Sequence, residues 1–502
     1  MEERRAGGFL VDARRRAELK YMKDMWTKLV RAVAKGLMVR SDSRQVKPGE
    51  AFVAVPGVGV DGAQYIPAAL EQGAEWIVAV PGTVLPEGAQ ATLVEHENPR
   101  AALGSLAAAY FKTAEHGMHM VGVTGTNGKT TITYMLEHVL SANSHRVGVI
   151  GTVNCRWPGF SVDSSMTTPD CWKLHEIIAN MAEAGVDTVV MEVSSHALDQ
   201  DRVAGIAFDV AVLTNVTQDH LDYHKTMDAY FEAKARLFTE LPRQAKACVI
   251  NVDDSYGRRL AERCPESVTY GLEAAHQPSM MGQMQSCTSC GIHLRVEHGG
   301  QSWEIDSPLI GLYNAANLLA AQGAALALGV KPRGLKTLED FHGVPGRLQR
   351  VPNEKGLHVF VDYAHTPDAL ENVLSCVRDL DFARVLAVFG CGGNRDRAKR
   401  PLMGEAVCRY ADVAVLTSDN PRFEDPEAIM ADARPGLTGC VQVIEKVDRR
   451  EAIAAALGAM LPDDVLVIAG KGHENYQEVK GERHHFNDFE VVKEILGEAV
   501  TC

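Results

Sequence analysis

The chain has 502 residues, 46% hydrophobic and 23% charged, with a formal net charge of −14 at pH 7. That length exceeds what one core supports, so two or three domains are expected and three is the working number; the composition excludes a disordered or fibrous chain. The acidic balance offers no basic face for nucleic acid, and no run approaches the roughly eighteen apolar residues that span a bilayer, so neither partner is expected.

Residues 1–24 form a basic extension containing Arg4, Arg5, Arg14, Arg15 and Arg16, expected to be disordered or helical. Its uncharged run, 6–11, is too short for a signal-peptide core, so a cytoplasmic protein is expected, with Met22 and Met25 as alternative starts. Residues 25–115, including SDSRQVKPGEAFVAVPG, mix short strands and helices as a small α/β domain. From about 118, Val/Ile-rich runs alternate with helical patterns, which predicts parallel strands over 118–123, 147–150, 188–193 and 210–215. Ile132, Met135, Leu136, Val139 and Leu140 keep helical spacing directly after TGTNGKTT (124–131), so that segment joins a strand to a helix. The Met-, Gln- and Ser-rich stretch 276–291 reads as a loop before a hairpin at 298–301. Its Cys287 and Cys290, the only close pair among 11 cysteines, read as reduced thiols and not as a metal site. A helix over 314–328 stops at Gly329, and FHGVPGR (341–347) has the composition of a hinge. Further strands over 359–361, 385–389, 413–417 and 465–469 predict a second sheet. The expected segments are therefore 1–24, 25–115, 116–342 and 343–502.

Gly125 and Gly128 allow backbone N–H groups in 124–131 to point into one cavity at a helix N-terminus, an arrangement that binds phosphates. Lys129 would reach the outer phosphates and Thr130 would place its hydroxyl on Mg²⁺, with ATP as the nucleotide. Val123 stands where the usual GxxxxGK[ST] pattern has its first glycine. The central segment is thus a P-loop parallel-sheet ATPase domain, and the C-terminal segment a Rossmann-like α/β domain. Glu192 falls at a strand end, where open α/β sheets bind ligands, and could hold a cation or simply face water. His220, just past the next strand, is either a further ligand or a surface histidine. Lys234 lies among Tyr230, Phe231, Leu237 and Phe238 on one helical stripe; buried there it loses its proton and could capture CO₂ as a carbamate, although a packed stem with an ammonium reaching water fits the same pattern. The loops CGGNRDRAKRPLMG, SDNPR and AGKGHE each follow a strand of the second sheet and share one edge. Arg395 and Arg422 could fork onto carboxylates, and Glu474 could accept from an ammonium, a set suited to a zwitterion.

TGTNGKTT, MEVSSHAL, TNVTQDHLDYH, FEAKARLF, GLYNAANLLAA, VDYAHTPDAL, CGGNRDRAKRPLMG, DNPR and GKGHE occur together and in order. The series resembles the Mur ligases over about residues 40–490, most weakly before 115 and around 270–300. The resemblance implies that ATP phosphorylates the D-glutamate carboxylate of UDP-N-acetylmuramoyl-L-alanyl-D-glutamate, and that an amine then displaces phosphate, in peptidoglycan synthesis. It implies Lys129, His220 and Lys234 as catalytic residues. Thr130, Glu192, His220 and carbamylated Lys234 are implied around two Mg²⁺. ATP is expected at Gly125, Thr126, Asn127, Gly128, Lys129, Thr130, Thr131, Asn314, Arg347, Asp362 and His365. Ser41, Ser43, Thr167, Thr168, Ser194, Gln200 and Arg202 are implied at the sugar-nucleotide dipeptide. DNPR resembles the signature of relatives that add meso-diaminopimelate, whose extra carboxylate Arg422 would pair with; Arg395, Asp419, Asn420, Pro421, Gly470 and Glu474 would complete that pocket. A monomer whose third domain closes about the hinge is expected. An L-lysine-adding relative, a folylpolyglutamate-type ligase and a non-catalytic nucleotide-binding protein are the alternatives.

Overall fold

A computed structural model describes residues 22–57, 61–241 and 247–497, so most of the basic extension lies outside the described residues. The chain divides into two compact units. One comprises the chain to Lys129 with Ser144–Ile250 and Asp254–Val268; the other comprises Thr130–Asn143, Asn251–Asp253 and the chain from Thr269.

The first unit opens with a helix over 22–34 and a four-stranded parallel sheet, Val39–Arg40, Ala51–Val53, Trp76–Ala79 and Thr92–Glu95 in that spatial order. Leu29, Val33, Val53, Val78, Val94 and Leu106 form its core. A second parallel array follows in the spatial order Ala247–Asn251, Val210–Leu213, His119–Thr124, Thr188–Glu192, Val147–Ile150. Nearly every residue of these five strands is buried, as expected of strands covered on both faces. The chain fills the positions on one side of His119–Thr124 before those on the other. Such a reversal leaves a crevice at the carboxyl ends of the strands. An antiparallel pair, Asn154–Trp157 and Phe160–Asp163, extends the array beyond Val147–Ile150.

In the second unit, Met280–Thr288, Gly291–His298 and Gln301–Ser307 form an antiparallel meander beside the helix Leu312–Ala327. The first of these strands corrects the loop expected over 276–291. Its Met280 and Gly282 are buried while Gln283, Gln285 and Ser286 face outward, and a single covered face tolerates that polar composition. Six further strands run in the order Gln349–Arg350, His358–Asp362, Val465–Ala469, Val385–Cys391, Val413–Ser418, Gln442–Glu445, all parallel after the first pair. Cys287 and Cys290 are free thiols, whereas Cys408 and Cys440 are paired, a link the scattered spacing did not suggest.

Candidate functional site

Strand register brings the first set of functional side chains to one edge. Val123 pairs with Glu192 and Thr124 with Leu213, so the loop that opens at Thr124, Glu192 and Thr214 leave the sheet side by side. Val123 is fully buried within its strand, which explains why no glycine is needed there. Gly125 is different. Its φ is +146°, and a Cβ would lie 1.8 Å from Thr214 Oγ1. That hydroxyl donates to Asn127 O at 2.6 Å, while Thr126 N and Asn127 N donate to Asn215 O and Oδ1 at 2.8 and 2.9 Å. Lys129 Nζ donates to Gly125 O and Thr126 O. Thr130 is buried in the first turn of the Lys129–Ala142 helix and Thr131 is half-buried beside it.

Lys234 stands in the helix Met227–Thr239, 2% exposed, and its Nζ donates to Gly125 O at 2.8 Å. Burial, aided by the Lys129 charge and opposed by Asp219, holds its pKa well below the ordinary lysine value. The amine is buried at the floor of the loop.

Glu192 is buried at its strand end, and Thr152 holds both its oxygens: N to Oε1 at 2.8 Å and Oγ1 to Oε2 at 2.9 Å. A network continues from there. Thr152 Oγ1 lies 3.1 Å from Thr167 Oγ1; Thr168 Oγ1 donates to Glu192 O and accepts from Ser194 N; Arg202 donates to Thr168 O and, through Nη2, to Gln200 Oε1. Thr167, Thr168, Ser194, Gln200 and Arg202 are thus one connected group. Ser43 is buried at the start of a short 3-10 turn and Ser41 is exposed; no described contact joins either to that group. His220, exposed at φ +52°, packs edge-on against His196 at 4.8 Å, with His224 5.5 Å from His196. Burial lowers the pKa of His196 and of His224. Among the described residues, Glu192 and His220 do not belong to a three-ligand His/Cys/Asp/Glu cluster; the one group of that kind is Asp253, Glu273 and His276.

In the second unit, Asp362 ends a strand and accepts from Leu348 N and Ala364 N, with burial raising its pKa against the pull of Arg347. Arg347 lies over the Tyr363 ring, which also meets His365 and His473. Asn314 is buried and donates to Ile310 O, just before the start of its helix; no described contact joins it to Arg347.

The three loops of the second sheet do converge. A Cβ on Gly393 would meet Pro421 O at 1.9 Å, and one on Gly470 would meet Asp419 Oδ2 at 2.6 Å. Arg395, exposed, flanks Gly392 beside Arg422. Arg422, in the left-handed region at φ +52°, donates from Nη1 to Gly393 O and approaches Glu478 Oε2 at 3.6 Å. Asn420 Nδ2 donates to Glu474 Oε2 at 2.9 Å. Beneath them, fully buried Arg449 pairs with Asp488 and donates to Ser418 O and Ala469 O, the last residues of two strands. Sequence reasoning singled out none of Thr152, His196, Glu478, Lys471 and Arg449; His196 and Lys471 lie within the motifs MEVSSHAL and GKGHE, while Thr152, Glu478 and Arg449 meet partners far away in sequence.

A glycine-rich loop at the edge of a parallel sheet with a buried lysine beneath it, and a second sheet whose loops bring Arg422, Asn420 and Glu474 together, fit an ATP-dependent ligase. Three family models match the chain: the Mur ligase family, catalytic domain over 37–111, the Mur ligase middle domain over 123–325 and the Mur ligase, glutamate ligase domain over 346–472. The chain belongs to the Mur ligase family, with its three α/β domains. It is 50% identical to the UDP-N-acetylmuramoyl-L-alanyl-D-glutamate--2,6-diaminopimelate ligase of Lawsonia intracellularis, covering 92% of this chain and 96% of that one. The ligase of the same name from Synechococcus elongatus is 43% identical, over 92% and 94%. A solved structure of a protein with that name superposes with a TM-score of 0.69 at 36% identity, over 91% and 94%.

Proposed function

We propose that the chain is the ATP-dependent ligase that joins meso-2,6-diaminopimelate to the D-glutamate of UDP-N-acetylmuramoyl-L-alanyl-D-glutamate in peptidoglycan synthesis. The observation that carries this reading is the buried Lys234 amine 2.8 Å from the loop carbonyl of Gly125, taken with Arg422 and Glu474 among the converging loops of the second sheet. The segments 25–115, 116–342 and 343–502 are the three domains on this reading, and the nucleotide-linked substrate and ATP set the reaction in the cytoplasm.

A carboxylate is a poor electrophile, and approaching the γ-phosphate sets anion against anion. Gly125 to Thr131 bind the phosphates, and Lys129 offsets their charge. Asn314, Arg347, Asp362 and His365 hold the rest of the nucleotide. Thr167, Thr168, Ser194, Gln200 and Arg202 hold the muramoyl dipeptide, with Ser41 and Ser43 toward its uridine end, so that a glutamate oxygen attacks the γ-phosphorus and ADP leaves. Arg395, Asp419, Asn420, Arg422, Gly470 and Glu474 orient diaminopimelate so that its neutral amine attacks the acyl carbon; the C–O bond to phosphate breaks and the nitrogen sheds a proton. The donors fit Mg²⁺, a hard cation that keeps several waters and needs only one or two carboxylates: Glu192, the Thr130 hydroxyl, His220 and a carbamate formed on Lys234 would hold it. Bound there, Mg²⁺ supplies charge neutralisation at the transferring phosphoryl group.

The test is ADP release by the purified protein with the muramoyl dipeptide and either meso-diaminopimelate or L-lysine. Release with diaminopimelate at least tenfold faster than with lysine is expected. Equal rates overturn the choice of amine, and no release with either overturns the ligase.

A further inference from the structure

Lys471 follows Gly470 at the end of the strand Val465–Ala469, where a lysine would ordinarily face solvent, yet it is fully buried. Its Nζ donates to Asn420 Oδ1 at 3.1 Å and to Glu474 Oε2 at 3.2 Å, and lies 5.6 Å from the centre of the Tyr476 ring. The three N–H groups of an ammonium are thereby engaged by one amide, one carboxylate and one aromatic face.

The partners settle which way both pocket side chains point. Asn420 Oδ1 receives Lys471 Nζ and Glu478 N, the latter at 2.9 Å, while Nδ2 faces Glu474 Oε2. Flipping the amide would set its NH₂ against two donors and its oxygen against a carboxylate. One Nδ2 proton is then left for a substrate carboxylate. Glu474 Oε2 accepts from both Lys471 and Asn420, and among the described residues Oε1 accepts no hydrogen bond, which leaves it for an ammonium. The pocket shows an incoming zwitterion one donor and one acceptor, each aimed by the same buried cation.

We infer that Lys471 is a specificity-determining positioning residue, which sets Asn420 and Glu474 for the ammonium and carboxylate of the incoming diamino acid. The inference rests on the function proposed above. Replacing Lys471 by methionine keeps the stem and removes the charge; Asn420 then has one donor in place of two, and Glu474 loses its counter-ion. In K471M the KM for meso-diaminopimelate is expected to rise about 10- to 100-fold, the factor carried by one charge-assisted hydrogen bond. The KM values for ATP and the muramoyl dipeptide stay within about twofold, and the affinity for a non-hydrolysable ATP analogue, read by calorimetry, is unchanged. K471Q, which retains a donor toward Asn420, gives a smaller rise and decides the matter if K471M does not fold. A merely structural role raises all three KM values together. That outcome, or an unchanged diaminopimelate KM in a folded variant of an active parent, overturns the inference alone; an inactive parent overturns the functional reading and the inference with it.

Discussion

Replacing Lys234 by methionine, which keeps the unbranched stem and removes the amine, is expected to move activity and stability in opposite directions. The lysine is 2% exposed, and burial with Lys129 nearby holds its pKa well below 10.5. Unfolding returns the amine to water, where it takes up a proton. Between the folded value and 10.5 the unfolded chain binds more protons, so in CO₂-free buffer the parent's stability rises with pH across that window, and the penalty is at its fullest below the folded value. Methionine carries no such penalty. K234M is therefore more stable than the parent at pH 7, by a margin that shrinks as the pH approaches 10.5. The margin is reduced by the lost hydrogen bond to Gly125 O, about 0.5–1.5 kcal/mol for a neutral donor, and that carbonyl keeps Lys129 Nζ at 3.0 Å. Activity falls about 10²–10³-fold, the scale of removing one preorganised charge-stabilising group. Urea unfolding from pH 6 to 10 and ADP release with and without bicarbonate measure the two effects, and bicarbonate is expected to stimulate the parent alone. Full activity of K234M at saturating bicarbonate, or a stability difference indifferent to pH, refutes the reasoning.

Thr152→Val removes the hydroxyl on Glu192 Oε2 and is expected to weaken Mn²⁺ binding about 10-fold, as disturbing a metal ligand's support does; Thr152→Ser restores it, and calorimetry with Mn²⁺ reads the difference. Arg422→Ala should lower kcat/KM for meso-diaminopimelate about 100-fold while changing that for L-lysine little, since only the former brings the extra carboxylate; equal losses on both amines count against the pairing. His175 is buried with Nε2 2.9 Å from Ala204 O and Nδ1 2.7 Å from the Thr113 hydroxyl, a neutral ring that burial holds at a pKa of about 4. The unfolded chain binds the extra proton between that value and 6.5, so stability falls with falling pH by about 1.4 kcal/mol per unit across that window. His175→Gln should flatten this part of a pH titration of urea midpoints, and an unchanged slope would contradict the assignment.

Much of the layout was legible because buried parallel strands are short apolar runs with little else in them. The runs at 118–123, 147–150, 188–193 and 465–469 fall on strands to within a residue or so. Lys234 was legible as a buried lysine because Tyr230, Phe231, Leu237 and Phe238 surround it at helical spacing. The strand Met280–Thr288 was not, since only one of its faces is covered and its polar residues mask the alternation. Thr152 reaches Glu192 from 40 positions away, and Asn420 meets Lys471 across 51; such pairs follow from which strands become neighbours, and neither residue announces it locally.

Arg449 has one further consequence. The carboxylate it grips, Asp488, begins the helix Asp488–Leu496, and its other bonds end on the carbonyls of Ser418 and Ala469. The two loops that follow those strands are thereby moored to the far end of the chain. A protease that clipped off this helix would strand a guanidinium inside the fold, so a nicked protein should lose the proposed amino-acid site of the second unit while nucleotide binding at the proposed loop 124–131 persists.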